Sequence, residues 1–139
     1  MKLTKYSDLK IGQSAEVTHT ITAEDIQTFG DLSGDYNPLH FNDEWAKTTM
    51  FEGRIAHGLL SASFISTVIG MKLPGPGTIY LSQSMKFMRP VRIGDTITAR
   101  VEVAALNDEK KRVTMKTVCT NQNQEVVVDG EALIMLMSE

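Results

Sequence analysis

Apolar and polar residues alternate in five stretches of the chain, and this alternation is typical of half-buried β-strands. The first stretch covers residues 15–21 and has His19 as the one polar residue on its apolar face. The other four cover residues 79–87, 97–105, 113–119 and 126–137. Short connections rich in turn-forming residues join these four, so we expect sequential antiparallel strands. Gly130 interrupts the last of them and predicts a β-bulge.

A long helix is predicted over about residues 58–72, between the first strand and the other four. It is apolar on nearly every side, with Leu59, Leu60, Ala62, Phe64, Ile65, Val68, Ile69 and Met71. A helix of this composition is a buried one, and the Pro-Gly-Pro-Gly sequence at residues 74–77 ends it. We therefore expect an α+β architecture in which one long helix packs against a curved antiparallel sheet.

Two shorter helices are predicted before the long one. Thr22 has the side chain of an N-cap residue, and we expect its helix to end at Gly30 and Gly34. The second short helix runs through residues 45–47. Between the two, Pro38 argues against regular helix.

The composition is that of one ordinary domain. The chain has 139 residues, which suggests a single domain over residues 1–139. Hydrophobic residues make up 42% and charged residues 22%, and the net charge of −3 lacks the basic surplus of nucleic-acid-binding proteins. The first residues lack the apolar core of a signal peptide, and no stretch has the roughly 20 apolar residues of a membrane span. We expect a cytoplasmic protein with neither a nucleic-acid nor a membrane partner.

Asp35 and His40 are the first candidates for catalysis. Their spacing would place them roughly 140° apart on a regular helix, but a turn at Asn37-Pro38 can bring both side chains to one point. A carboxylate and an imidazole that converge can hold a water molecule and move its proton. In the alternative interpretation, Asp35 and Asn37 only form the turn, and His40 is a partly buried polar residue.

His57 and Gly58 stand where the long helix begins. The first turn of a helix exposes unpaired N–H groups and the positive end of the helix dipole, which favour an oxyanion such as the enolate of a thioester. Gly58 has no side chain, so a carbonyl oxygen can approach its N–H closely. In the alternative interpretation, Gly58 allows tight packing of helix on sheet. For His57 we expect a capping or supporting role rather than a catalytic one.

Ser66 is a further candidate, because it lies two turns along the long helix and is predicted to face the same side as the helix start. In the alternative interpretation, it bonds to its own helix backbone. No Gly-x-Ser-x-Gly motif marks a serine nucleophile. The three histidines lack the spacing of a zinc site, Cys119 has no second cysteine beside it, and no glycine-rich phosphate loop is present. We therefore expect no metal and no bound cofactor.

Four blocks of sequence resemble one known family. Residues 34–40, Gly-Asp-Tyr-Asn-Pro-Leu-His, look like the hydratase-2 motif of the MaoC-like (R)-specific enoyl-CoA hydratases. Residues 54–60, Arg-Ile-Ala-His-Gly-Leu-Leu, resemble the segment that opens the central helix of that family. Residues 74–81 and 87–95 are similar to the strand and turn that follow. The resemblance spans nearly the whole chain.

The resemblance implies a hot-dog fold, in which a sheet wraps a long central helix, and a homodimer whose two sheets join edge to edge. It implies reversible syn addition of water to a trans-2-enoyl-CoA, which gives an (R)-3-hydroxyacyl-CoA; coenzyme A is then part of the substrate. By motif position, Asp35 and His40 are the catalytic pair and the Gly58 N–H binds the thioester oxygen. Asn37 holds the loop or contacts the pair, and Ser66 supports it. We take Asp35 as the base, because an aspartate carboxyl group is ordinarily ionised at neutral pH.

Three other functions remain open at this point. They are a dehydratase that acts on acyl-carrier-protein thioesters, a hot-dog acyl-CoA thioesterase, and a module that binds acyl-CoA without turnover. Many hot-dog thioesterases carry an acidic residue on the central helix, and residues 58–72 contain none. In a binding module, Asp35 and His40 would have no task.

Overall fold

A computed structural model gives the structure of residues 1–137. The strands are β1 (Ser14–Thr20), β2 (Thr78–Phe87), β3 (Thr96–Asn107), β4 (Arg112–Thr120) and β5 (Val126–Leu136). The helices are a short 3-10 helix (Tyr6–Asp8), α1 (Ala23–Ser33), α2 (Pro38–Phe41), α3 (Asp43–Lys47) and α4 (Gly58–Met71). The predicted domain runs to residue 139, and its last two residues lie outside the described residues.

The five strands form one antiparallel sheet in the order β1-β3-β4-β5-β2, and α4 packs against it, as predicted. The expectation that β2 pairs with the next strand is wrong, because β2 pairs with β5. The connection over residues 88–95 does not form a hairpin, because each of its halves is hydrogen-bonded to a distant segment of the chain. Val91 O accepts from the Ala56 N–H at 2.7 Å, and the Gly94 N–H donates to Ile21 O at 2.8 Å. The connection therefore runs from one edge of the sheet, past the start of α4, to the end of β1.

Helix α4 buries one side against the sheet. Ile65, Val68 and Ile69 are at most 1% exposed, and they belong to the apolar core shared with the inner face of the sheet. The prediction of a helix buried on every side is wrong for the single chain, because Leu59 is 57% exposed and Met71 is 72% exposed. A single sheet covers only one side of a helix, so the outer side of α4 stays apolar and open. Over residues 1–137, none of the helices has the length and apolar character needed to cross a membrane.

Two glycines have structural roles that differ from the predicted ones. Gly30 lies inside α1, and the helix ends at Gly34, whose φ of 80° is left-handed. A Cβ on Gly30 would lie 2.5 Å from the ring of Phe41. Gly130 keeps the register of β5 instead of forming a bulge, and a Cβ there would collide with the carbonyl oxygen of Ser84. At Gly30 and Gly130, glycine is required by a close neighbour rather than by a break in the element.

Candidate active site

A cavity of about 420 Å³ opens where α4 begins. Asp35, His40, His57 and Ser61 line it with polar side chains, and Gly58 lies among them. The remaining wall is mostly apolar and includes Phe29, Phe51, Phe87, Val91, Val127 and Val128. An apolar cavity in which a few polar groups converge is the usual form of a small-molecule site.

The loop between α1 and α2 brings Asp35 to this cavity, and α2, which follows it directly, brings His40. Asp35 Oδ1 accepts from the Asn37 N–H at 3.1 Å, and Asn37 Oδ1 accepts from the Leu39 N–H at 3.1 Å. Asn37 is therefore the N-cap of α2 and holds the loop. The expectation that Pro38 prevents helix is wrong, because the four-residue helix begins at the proline itself, where no N–H partner is needed.

His40 is a neutral acceptor in the wall of the cavity. It is 9% exposed, and burial lowers its pKa below the usual value of 6.5. Its Nδ1 lies 2.8 Å from the carbonyl oxygen of Ile55. Because a carbonyl only accepts, Nδ1 carries the proton, and Nε2 of the neutral ring keeps its lone pair.

His57 also lines the cavity, beside His40, and is 3% exposed. The ring centroids of His57 and His40 are 4.0 Å apart, with planes inclined by 31°. The Nε2–H of His57 donates to the main-chain carbonyl of Asp35 at 3.0 Å. His57 occupies the N-cap position of α4, but its side chain makes no capping hydrogen bond there. The side chain is therefore directed at the loop that contains Asp35 rather than at its own helix.

Gly58 is the first residue of α4, and its N–H belongs to the first turn, for which the helix has no carbonyl partner. A Cβ at this position would lie 2.6 Å from Cδ1 of Phe87. Packing against Phe87 thus requires glycine, as one of the two interpretations holds. This requirement is compatible with a donor role for the N–H, since both follow from the absence of a side chain.

Ser61, rather than Ser66, is the serine that lines the cavity. Ser66 is exposed on the outer side of α4, and one chain alone does not bring it to Asp35 and His40. Ser61 is fully buried, and its Oγ has no hydrogen-bond partner among residues 1–137. The spacing alone could not have revealed it, because Ser61 is turned from Gly58 by roughly 60° to one side of the helix and Ser66 by roughly 80° to the other.

Asp35, His40 and His57 each offer one atom that could be a ligand to a metal ion. These three atoms lie within 4.8 Å of one another. The spacing of the histidines along the chain did not predict this convergence, because it depends on contacts between distant segments. A cation or a water molecule could bind at such a cluster. Separations of up to 4.8 Å suit a water bonded to two acceptors at about 2.8 Å better than a zinc ion, whose ligands at about 2.1 Å lie roughly 3.4 Å apart.

The amino-acid sequence and the fold of this chain were compared with those of known proteins, and both match one family. The family model described as MaoC like domain matches residues 7–127. A Rhodospirillum rubrum protein named (R)-specific enoyl-CoA hydratase is 55% identical over 131 residues, which cover 94% of this chain and 90% of the relative. A mitochondrial 3-hydroxyacyl-[acyl-carrier-protein] dehydratase of Arabidopsis thaliana is 40% identical over 92% of this chain and 78% of its own length. The unliganded structure of R-hydratase PhaJ1 from Pseudomonas aeruginosa has a TM-score of 0.91 and 47% identity, over 99% of this chain and 88% of that chain.

The chain is thus a hydro-lyase with the hot-dog fold, since its relatives with the same fold are hydratases and dehydratases. It belongs to the MaoC-like family, whose model covers most of its length. The predictions of family, fold and enzyme class are confirmed.

Proposed function

We propose that this chain is an (R)-specific enoyl-CoA hydratase, which adds water reversibly to a trans-2-enoyl-CoA and forms an (R)-3-hydroxyacyl-CoA. The observation that carries the proposal is the convergence of Asp35 and His40 beside the first N–H of α4, in a mostly apolar cavity. The 55% identity to a hydratase of this specificity supports it.

Asp35 and His40 offer two acceptors to one water molecule. Nε2 of His40 has its lone pair, since Nδ1 is protonated and bonded to Ile55 O. The carboxylate of Asp35 uses Oδ1 for the Asn37 N–H, and a carboxylate has further acceptor capacity on both oxygens. A water that donates one hydrogen to each residue keeps an oxygen lone pair for the substrate.

The reaction then follows from the positions of these groups. The water oxygen attacks C3 of the enoyl group as Asp35 takes the proton, and the π electrons move to the thioester oxygen. The Gly58 N–H, at the positive end of the α4 dipole, donates to that enolate oxygen. The carbonyl re-forms as C2 takes the proton back from Asp35 on the same face, which makes the addition syn. Water supplies every added atom, so the step needs no metal and no cofactor.

The acyl-CoA substrate fits the character of the cavity. Its apolar wall suits an acyl chain, and Arg89 at the same cavity is 54% exposed, with Glu125 at 3.2 Å. An exposed arginine can exchange a carboxylate partner for a phosphate of coenzyme A. Because 3-hydroxyacyl and enoyl thioesters are fatty-acid derivatives, our proposal includes a part in fatty acid metabolism and a cytoplasmic location.

Incubation of the purified protein with crotonyl-CoA tests the proposal directly. We expect loss of the enoyl absorbance, formation of (R)-3-hydroxybutyryl-CoA, and no release of the coenzyme A thiol. Release of the thiol would instead indicate a thioesterase, and binding without either reaction would indicate an acyl-CoA-binding module. Each of these two results would contradict the hydratase assignment.

A dehydratase that acts on acyl-carrier-protein thioesters is the second candidate, because the Arabidopsis relative with that name is 40% identical. The same acyl group presented on coenzyme A and on a carrier protein separates the two. We expect the higher kcat/KM for the coenzyme A thioester, and the reverse order would favour the second candidate.

The proposed assembly is a homodimer that joins the β2 edges of two sheets. β2 lies at one end of the strand order, and Tyr80, Leu81 and Phe87 on this strand are 39%, 42% and 52% exposed. An apolar sheet edge of this kind is usually covered. The other edge strand, β1, instead exposes threonines such as Thr18.

Sedimentation equilibrium at micromolar concentration checks the dimer. We expect twice the monomer mass, and we expect Leu81→Arg to weaken the association because it puts a charge on the apolar edge. Thr18→Arg on β1 is the matched control and should leave the dimer intact. A parent protein that sediments as a stable monomer would refute the assembly.

A further inference from the structure

Four hydrogen bonds join residues 54–57, which lead into α4, to the loop and the short helix α2 that carry Asp35 and His40. They join Arg54 Nε to His40 O (2.7 Å), Ile55 N to Leu39 O (3.2 Å), His40 Nδ1 to Ile55 O (2.8 Å) and His57 Nε2 to Asp35 O (3.0 Å). The first three hold the His40 end of the loop. Of these four bonds, the one from His57 is the bond that reaches Asp35.

Aromatic rings fix the plane of the His57 imidazole. Besides the contact with the tilted ring of His40, its ring centroid is 4.8 Å from that of Phe29 and 5.7 Å from that of Phe41. The side chain is also 97% buried, since His57 is 3% exposed. A ring held on several sides cannot rotate freely, so the direction of its Nε2–H is fixed with it.

The tautomer of His57 follows from its contacts. Nε2 faces a carbonyl oxygen and must carry a proton, and in a ring with a single proton Nδ1 is then an acceptor. Nδ1 and the Oγ of Ser61 are both buried and have no hydrogen-bond partner among residues 1–137. Residues four positions apart share a helix face, and one buried water can satisfy both atoms.

We propose that His57 is a positioning residue, whose Nε2–H bond to the Asp35 carbonyl holds Asp35 beside His40 at their water. The proposal rests on the proposed function, because it concerns the same water. It also links the base to the oxyanion donor, since His57 directly precedes Gly58 in the chain. His57 itself does not transfer a proton.

Two amide variants test this role. In His57→Gln, the amide N–H can stand where Nε2–H stands, so the bond to the Asp35 carbonyl is kept. In His57→Asn, the shorter side chain brings its amide to the position of Nδ1, and the bond is lost. We expect kcat for crotonyl-CoA to fall by up to about 10²-fold in His57→Asn and to stay within about fivefold of the parent in His57→Gln, with KM little changed in both.

Thermal melting of both variants controls for a merely structural role, which would lower Tm but leave kcat per folded molecule equal in the two. Equal kcat values for the folded variants would therefore overturn the proposal. The ¹⁵N chemical shifts of the parent enzyme test it without any variant. We expect the Nε2–H form of His57, and an unprotonated Nε2 would overturn the proposal whether or not the enzyme hydrates crotonyl-CoA. A parent enzyme with this tautomer but without hydratase activity would refute the proposed function instead.

Discussion

We expect Asp35→Asn to keep the fold and to lower kcat for crotonyl-CoA by roughly 10²–10⁴-fold, the usual effect of removing a general base. Asparagine has nearly the shape of aspartate, and its amide oxygen can still accept from the Asn37 N–H, which forms the turn. The amide cannot take a proton from water, so the variant loses chemistry rather than loop geometry. Steady-state hydration rates, normalised to folded enzyme, measure the effect.

Asp43→Asn is the matched control, because Asp43 is an exposed aspartate at the start of α3, outside the cavity. We expect its kcat to equal that of the parent. His40→Ala should be about as damaging as Asp35→Asn, and the double variant should lose less than the product of the two, since both residues act on one water. An Asp35→Asn enzyme with near-parental kcat would remove Asp35 from the mechanism.

Local features of the fold were predictable because they depend on neighbouring residues. Thr22 does accept from the Asp25 N–H as the N-cap of α1, at 3.0 Å. Alternation over residues 113–119 does reflect an inward face, on which Val113 and Met115 are fully buried. The start of α4 at Gly58 also agrees with the sequence. In each case, residues a few positions apart carry the whole pattern.

The pairing of β2 was not predictable in this way. Its alternation fits a strand beside either β3 or β5, and the choice depends on where residues 88–95 are anchored. That anchor is formed by Ala56 and Ile21, which are far away in the chain. Likewise, the side of α4 that carries Leu59 is apolar in sequence, but its exposure depends on how far the sheet wraps.

In the candidate site, too, some features were predictable from the sequence and others depend on contacts between distant segments. Asp35, His40 and Gly58, which the motif singled out, line one cavity, and their catalytic roles stay predictions. Ser61 was missed because Ser61 and Ser66 are turned from Gly58 by similar angles to opposite sides of α4, and only the tertiary fold places the cavity on the side of Ser61. The contact between His57 and the Asp35 carbonyl spans 22 residues and requires the tertiary fold, so spacing alone could not reveal it.

Gly58→Pro is expected to lower kcat by about 10²–10³-fold, the usual effect of losing one oxyanion donor. Proline removes the N–H at the first helical position, where it is otherwise well tolerated. The preceding residue suits it, because His57 has φ −58° and ψ 132°, the extended conformation that a residue before proline prefers. As charge moves to the thioester oxygen, the lost donor should affect the transition state more than the bound substrate.

Gly58→Ala is the control for the added Cβ, because alanine and proline share that atom, whereas proline also removes the N–H and adds Cγ and Cδ. The added Cβ would lie 2.6 Å from Cδ1 of Phe87, so both substitutions are made in a Phe87→Leu background, which removes the ring. The clash at Cβ is then relieved in both variants, and the difference in kcat reports the loss of the N–H together with the two further ring carbons of proline. We expect the alanine variant to retain the kcat of the Phe87→Leu enzyme and the proline variant to lose it. If the two folded variants have equal kcat, the N–H of Gly58 does not bind the developing oxyanion, and the glycine serves packing against Phe87.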